Sequence, residues 1–120
     1  MQKELIVITK AKDLCSYILL VTEKAPKRFR FTLISRMQNL ALDIIEKIYR
    51  ANDVFGDLPK RLDLQHEAIT SVKLLGYIAL VAREQGAILP KQYEQVTKMV
   101  SDVQNLIGAW IKSDRKRFEE

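Results

Sequence analysis

The amino-acid sequence predicts an all-α protein, an antiparallel up-down four-helix bundle, and three observations carry that prediction. Three prolines, Pro26, Pro59 and Pro90, fall in polar or turn-like junctions and partition the chain into long segments. Within those segments apolar residues recur at spacings of three and four, the period of a helix, and no two-residue alternation competes with it. The chain has 120 residues, 48% of them apolar, with only 4 glycines. That suits one domain over residues 1–120, with a real core and little loop.

Each element can be justified in order. Helix 1 is expected over about residues 3–24. Its apolar opening, Leu5-Ile6-Val7-Ile8, is broken at once by Thr9, Lys10, Lys12 and Asp13, unlike a secretory signal. Proline ends helices and is tolerated in their first turn, so Pro26 separates helix 1 from a helix 2 over about residues 29–53. Helix 2 has the clearest seam: Ile34, Met37, Ala41, Ile44, Ile48 and Ala51. Asp43–Lys47 and Glu46–Arg50 are spaced i,i+4 as supports on its outer face. Asn52-Asp53 and Gly56-Asp57 mark the next turn. Helix 3 follows over about residues 60–86, with Gly86 as its C-terminal cap. Helix 4 runs over about residues 91–113, on a seam of Tyr93, Val96, Val100, Val103, Ile107 and Trp110.

The apolar arcs are wider than one core requires. Leu33, Leu40, Leu42, Ile45 and Tyr49 flank the helix 2 seam, and Leu74 to Ala82 is apolar nearly all round except for Tyr77. A helix that is apolar on more than one side needs more than one covering surface, so a homo-oligomer is expected.

Several chemistries are excluded or left without support. The single cysteine, Cys15, forbids an intramolecular disulfide and any cysteine-based zinc site, and points to a reduced cytoplasmic compartment. The apolar run from Leu74 to Ala82 is too short to span a bilayer. His66 is the only histidine, and on the helical wheel it shares the polar stripe of Thr70, Lys73, Tyr77 and Glu84. No metal ligand set assembles around it, the glycines are isolated, and no nucleophilic triad is present. No cofactor, metal or catalytic residue is expected.

The net charge of +5 favours an anionic partner. Lys24, Lys27, Arg28 and Arg30 lie close together without an intervening acid, and Arg36 follows. Arg115, Lys116 and Arg117 form a second cluster. Cations after helix 4 complement its dipole, whereas cations at the start of helix 2 oppose theirs, so the first cluster is the more informative. Phe29 and Phe31 interleave with it, as base-stacking platforms or, the favoured reading, as packing beneath the arginines. Lys60-Arg61 also opens a helix, but Asp57, Asp63 and Glu67 are expected to neutralise it locally. In an up-down bundle the two basic clusters lie at opposite ends.

Two resemblances bear on function. Arg61-Leu62-Asp63-Leu64-Gln65-His66 has the R-x4-H spacing of the HEPN ribonucleases, with Leu62 where that family has a polar residue. The implied alternative is a metal-independent ribonuclease, with His66 acting on a ribose hydroxyl and Arg61 on phosphate. A wider resemblance starts at Thr22-Glu23-Lys24-Ala25-Pro26-Lys27-Arg28-Phe29-Arg30-Phe31-Thr32-Leu33. It continues through Ser35-Arg36-Met37-Gln38-Asn39-Leu40-Ala41-Leu42-Asp43 and Leu106-Ile107-Gly108-Ala109-Trp110-Ile111. Over essentially its full length the chain resembles the accessory variability determinants of diversity-generating retroelements. Those are four-helix bundles related in fold to proteins encoded in ribosomal RNA intervening sequences. The resemblance implies a non-enzymatic homopentamer that binds a reverse transcriptase and nucleic acid, RNA or DNA, and supports copying of a template RNA into complementary DNA. Its candidate nucleic-acid contacts are Lys24, Lys27, Arg28, Arg30 and Arg36, with Arg115, Lys116 and Arg117 added on charge. A scaffold that binds only protein is the remaining alternative.

Overall fold

The computed structural model describes the backbone of residues 2–119 and the side-chain surroundings of residues 6–118. The ends of the expected domain, residues 1 and 120, and the side chain of Leu5 lie outside the described residues. These residues form α1 (Gln2–Thr22), α2 (Ser35–Asn52), α3 (Leu58–Glu84) and α4 (Pro90–Glu119), with no strand among them. A 3-10 turn, Lys27–Phe29, and a π turn, Arg30–Ile34, lead into α2.

The apolar periodicity dictates how the helices associate. Val7, Ala11, Leu14, Ile18 and Val21 of α1 are buried, as are Met37, Ala41, Ile44, Ile48 and Ala51 of α2. In α3 the buried stripe runs through Arg61, Gln65, Ala68, Val72, Leu75, Ala79 and Ala82, and in α4 through Val96, Val100, Val103, Ile107, Trp110 and Asp114, with Ser71 and Ile111 buried beside them. Each set steps by three and four, so one stripe per helix faces a shared core. α1 and α3 each pack against both α2 and α4, giving a helical bundle 51 Å long and about 20 Å across, with short axes of 23 and 19 Å.

Side-chain contacts establish which helix ends meet. Arg61, near the start of α3, bonds Asp114, near the end of α4, at 2.6 Å. Arg83, near the end of α3, lies 5.9 Å from the ring centroid of Tyr93, in the first turn of α4. Between α2 and α3, Lys47 Nζ donates to Ser71 Oγ at 2.8 Å. At the start of α2, Gln38 Nε2 donates to Thr22 Oγ1, at the end of α1, at 2.9 Å.

The helix ends differ from the expected ones for local reasons. α3 starts at Leu58, not residue 60, because Asp57 Oδ1 accepts the Lys60 N–H at 3.1 Å as an N-cap, and Pro59 is accommodated in the first turn. It ends at Glu84. Gly86, at φ +81°, forms a Schellman motif with Gly86 N–H to Arg83 O at 3.1 Å and Ala87 N–H to Ala82 O at 2.7 Å. In the next turn Gln92 Oε1 reaches back to the Leu89 N–H at 2.8 Å, half of a capping box ahead of Pro90.

Two expectations about the ends need correction. α4 does not stop near residue 113 but runs on to Glu119, because Asp114 continues the buried seam. The cluster Arg115–Arg117 is therefore part of the helix and not a tail after it. Helix 2 does not begin as an α-helix near residue 29: its regular part begins at Ser35. Lys27, Arg28 and Arg30 precede it, and a helix dipole acts mainly within its first turn. The π turn nevertheless runs into α2 without a break, Ile34 at the junction having helical angles, so Arg30 stands in the first turn of the continuous helix with Lys27 and Arg28 just ahead of it.

Candidate nucleic-acid interface

The lead-in to α2 is built to hold its side chains outward. The α1 chain stops at Thr22, whose hydroxyl donates to Ile18 O at 2.6 Å. Pro26, with φ −56° and ψ 137°, then turns the backbone into the 3-10 segment. Only Ile34 of the residues from Lys27 to Ile34 is buried. Lys24, Lys27, Arg28, Arg30 and Arg36 are all exposed. Among the described residues no carboxylate forms an ion pair with any of them.

Phe29 and Phe31 part company. Phe29 packs against the core, and the Arg28 guanidinium lies over its ring, 4.5 Å from the centroid. Phe31 is 88% exposed, so the expectation that both rings pack beneath the arginines fails for it. Residues two apart on a helix point to roughly opposite sides, about 200° apart, so both rings cannot face the bundle. Phe31 instead borders a shallow groove of about 470 Å³, shared with Thr32, Leu33, Ser35, Arg36, Asn39 and, from α3, Ile78.

The second basic cluster is at the other end of the bundle. Arg115, Lys116 and Arg117 are exposed. Arg117 is an ion-pair partner of Asp114. With Phe55, Leu58 and Phe118, it lines a cleft of about 320 Å³ against the turn between α2 and α3. The expectation that local acids neutralise Arg61 is also corrected. Arg61 is buried, and it pairs with the distant Asp114 and with none of Asp57, Asp63 and Glu67. Its Nη1 also donates to the Val54 and Ala51 carbonyls at 3.3 and 3.4 Å, and its guanidinium lies 5.1 Å from the Trp110 ring centroid. Gln65 Nε2 adds a bond to Asp114 at 2.7 Å. Burial pushes the Asp114 carboxyl up, but the Arg61 and Gln65 hydrogen bonds and the Arg61 charge outweigh it and hold the group below its usual value. The cluster keeps two buried polar atoms, Gln65 Oε1 and Trp110 Nε1, without a hydrogen-bond partner.

This geometry separates Arg61 from the chemistry its spacing to His66 suggests. A guanidinium committed to a buried carboxylate is not presented to a phosphate. His66 is exposed, as its polar stripe predicts, and its Nε2 lies 3.4 Å from Arg115 Nη2. No group of His, Cys, Asp and Glu with metal-binding geometry occurs among the described residues. No helix among them is long and apolar enough to cross a membrane.

The family model described as bAvd-like matches residues 5–114, nearly the whole bundle. The chain belongs to the bAvd-like family. These are the bacterial accessory variability determinants, and the family points to an accessory, non-catalytic role alongside a diversity-generating retroelement. No curated protein matches this bAvd-like chain significantly. Among solved structures, the bAvd-like fold is similar to a protein of unknown function from the S23 ribosomal protein family of Bacteroides thetaiotaomicron. The TM-score is 0.83 at 15% identity, over 92% of this chain and 98% of the other. At that identity the likeness concerns the fold alone.

Proposed function

We propose that this protein is a non-enzymatic cytoplasmic adaptor that binds nucleic acid and a reverse transcriptase. In that role it supports template-RNA-dependent synthesis of complementary DNA in a diversity-generating retroelement. The observation that carries the reading is the exposed cluster of Lys24, Lys27, Arg28, Arg30 and Arg36, with no acid paired to it among the described residues. Unpaired cations held outward on an ordered segment neutralise phosphates, and the counterions released drive binding. Arg115, Lys116 and Arg117 supply further phosphate contacts at the opposite end, with Arg117 shared with Asp114. Family membership supports the retroelement setting and the reverse transcriptase as partner.

The working unit in this reading is a single-domain, antiparallel up-down bundle, assembled as a homo-oligomer and by family resemblance a pentamer. The Arg61–Asp114, Arg83–Tyr93 and Lys47–Ser71 pairs support that chain course. Leu42 and Tyr49 are 51% and 59% exposed, and with the half-buried Ile45 they form an apolar stripe on α2 that a second subunit would cover.

Charge reversal of Lys27, Arg28 and Arg30 tests the reading. The triple variant is expected to keep its fold by circular dichroism and to lose most of its affinity for RNA and DNA at moderate salt. The slope of log affinity against log salt should shrink by roughly two to three, because three cations no longer neutralise phosphates. Unchanged affinity and slope would remove this cluster from the interface.

A further inference from the structure

We infer that the groove beside Phe31 is a nucleobase-stacking site, which makes the basic face of this protein selective for single strands over duplex. The inference rests on the nucleic-acid reading above and specifies which form of nucleic acid is taken. Three observations converge on it. Among the described residues Phe31 is the most exposed of the large apolar side chains, at 88%, yet it stands on an ordered helical turn and not on a loose loop. A phenyl ring left in water loses the stabilisation that burial would give it, so the fold itself gains nothing from this placement. The chemistry around the ring also suits a nucleotide. Arg30 and Arg36 are exposed on the same segment, and Arg36 lines the groove together with Thr32, Ser35 and Asn39.

An unstacked base offers a π-face to Phe31, its backbone phosphate offers charge to Arg36 or Arg30, and its edge offers hydrogen-bond groups to the Asn39 amide. Asn39 Nδ2 reaches Ser35 Oγ at 3.4 Å, a long contact that leaves its carbonyl oxygen and second amide proton available for a base edge. A duplex cannot use this ring, because its bases are already stacked and paired. The competing occupants of an exposed phenylalanine are a second copy of this chain and the reverse transcriptase. The charge favours nucleic acid: Arg36 in the groove and the Lys24, Lys27, Arg28 and Arg30 cluster that precedes it lack acidic partners among the described residues, and two copies meeting across this face would bring like charges together.

The test uses the full chain with fluorescein-labelled single-stranded RNA and a duplex of equal length at fixed salt. Phe31→Ala should weaken single-strand binding by about 5- to 150-fold, the range of one stacked base, and leave duplex binding unchanged. The salt slope should stay that of the wild type, since every phosphate-neutralising cation is kept. Phe31→Trp should retain affinity, and its emission should be quenched by single strands. Trp110, the only native tryptophan, is 1% exposed and contributes a constant background. Wild-type binding with a normal salt slope but no effect of Phe31→Ala would overturn the stacking site while leaving the basic interface standing. No salt-dependent binding by the wild type would overturn the interface itself. If Phe31→Ala instead shifts the mass in solution, or loses reverse transcriptase while keeping RNA, the ring is a protein anchor and the inference is wrong.

Discussion

Removing the Asp114 carboxylate should be among the most costly single changes in this protein. Asp114 is 1% exposed and accepts from Arg61 Nε at 2.6 Å and Gln65 Nε2 at 2.7 Å. In Asp114→Ala the Arg61 guanidinium loses its buried carboxylate and keeps, among its contacts, the Val54 and Ala51 carbonyls at 3.3 and 3.4 Å. Breaking a buried pair from one side costs ~3–5 kcal/mol. The site lies toward one end of the bundle, where water can reach a rearranged arginine, so the lower figure of ~3 kcal/mol is expected. With an unfolding entropy of about 2.1 cal/mol/K per residue, a chain of this length gives roughly 0.25 kcal/mol/K, and the melting temperature should fall by about 12 °C. Urea titration followed by the emission of Trp110, buried beside Arg61, measures it directly. The sign with pH is fixed by the lowered carboxyl: its stabilisation is complete above the unfolded value near 3.9 and is lost as pH falls through the folded value. Wild type and variant should therefore converge in strong acid. Replacing both partners, Arg61→Met with Asp114→Leu, should return most of the loss. A cost below ~1 kcal/mol for Asp114→Ala, or a double variant no better than the single one, would refute the reasoning.

Two further predictions concern the fold alone. Gly86→Ala should cost about 1–2 kcal/mol by thermal melting, because φ is +81° there and an added Cβ meets nothing within 4 Å, so the penalty is purely conformational. Cys15 is 4% exposed, and burial pushes its thiol up, so alkylation at neutral pH should be slow in the native state and rapid in denaturant. Equal rates in the two states would mean that the core around α1 opens readily.

The bundle was legible because its seams are regular, and Pro26, Pro59 and Pro90 all fall at junctions between helices. What the sequence hid lies in residues that look polar but occupy seam positions. Asp114 follows Val103, Ile107 and Trp110 at spacings of four, three and four, and Arg61 and Gln65 precede Ala68 and Val72 in the same rhythm. An acid and a base continuing two facing stripes could have been read as a buried pair. Proximity in sequence to Asp57, Asp63 and Glu67 pointed instead to local neutralisation. Likewise Lys47, expected to pair with Asp43, reaches across to Ser71, a partner that no i,i+4 rule supplies. The basic cluster was visible as charge, but the outward turn of Phe31 was not. It depends on the π turn from Arg30 to Ile34, and no residue pattern announces a change of helical register.

That turn bears on how the protein can change over generations. A π turn carries one residue more than an α-helix would need to cover the same axial distance. Deleting a single codon between Arg30 and Ile34 would convert it to regular helix and leave the preceding segment on nearly the same bearing, because four α-helical residues turn through about 400°, roughly as five π residues do. The seam from Met37 to Ala51 would be left in register, and only the side chains inside the turn, Phe31 among them, would be re-aimed. The aim of Phe31 is thus separable from the core, and can be changed by the length of one short segment without redesigning the seam.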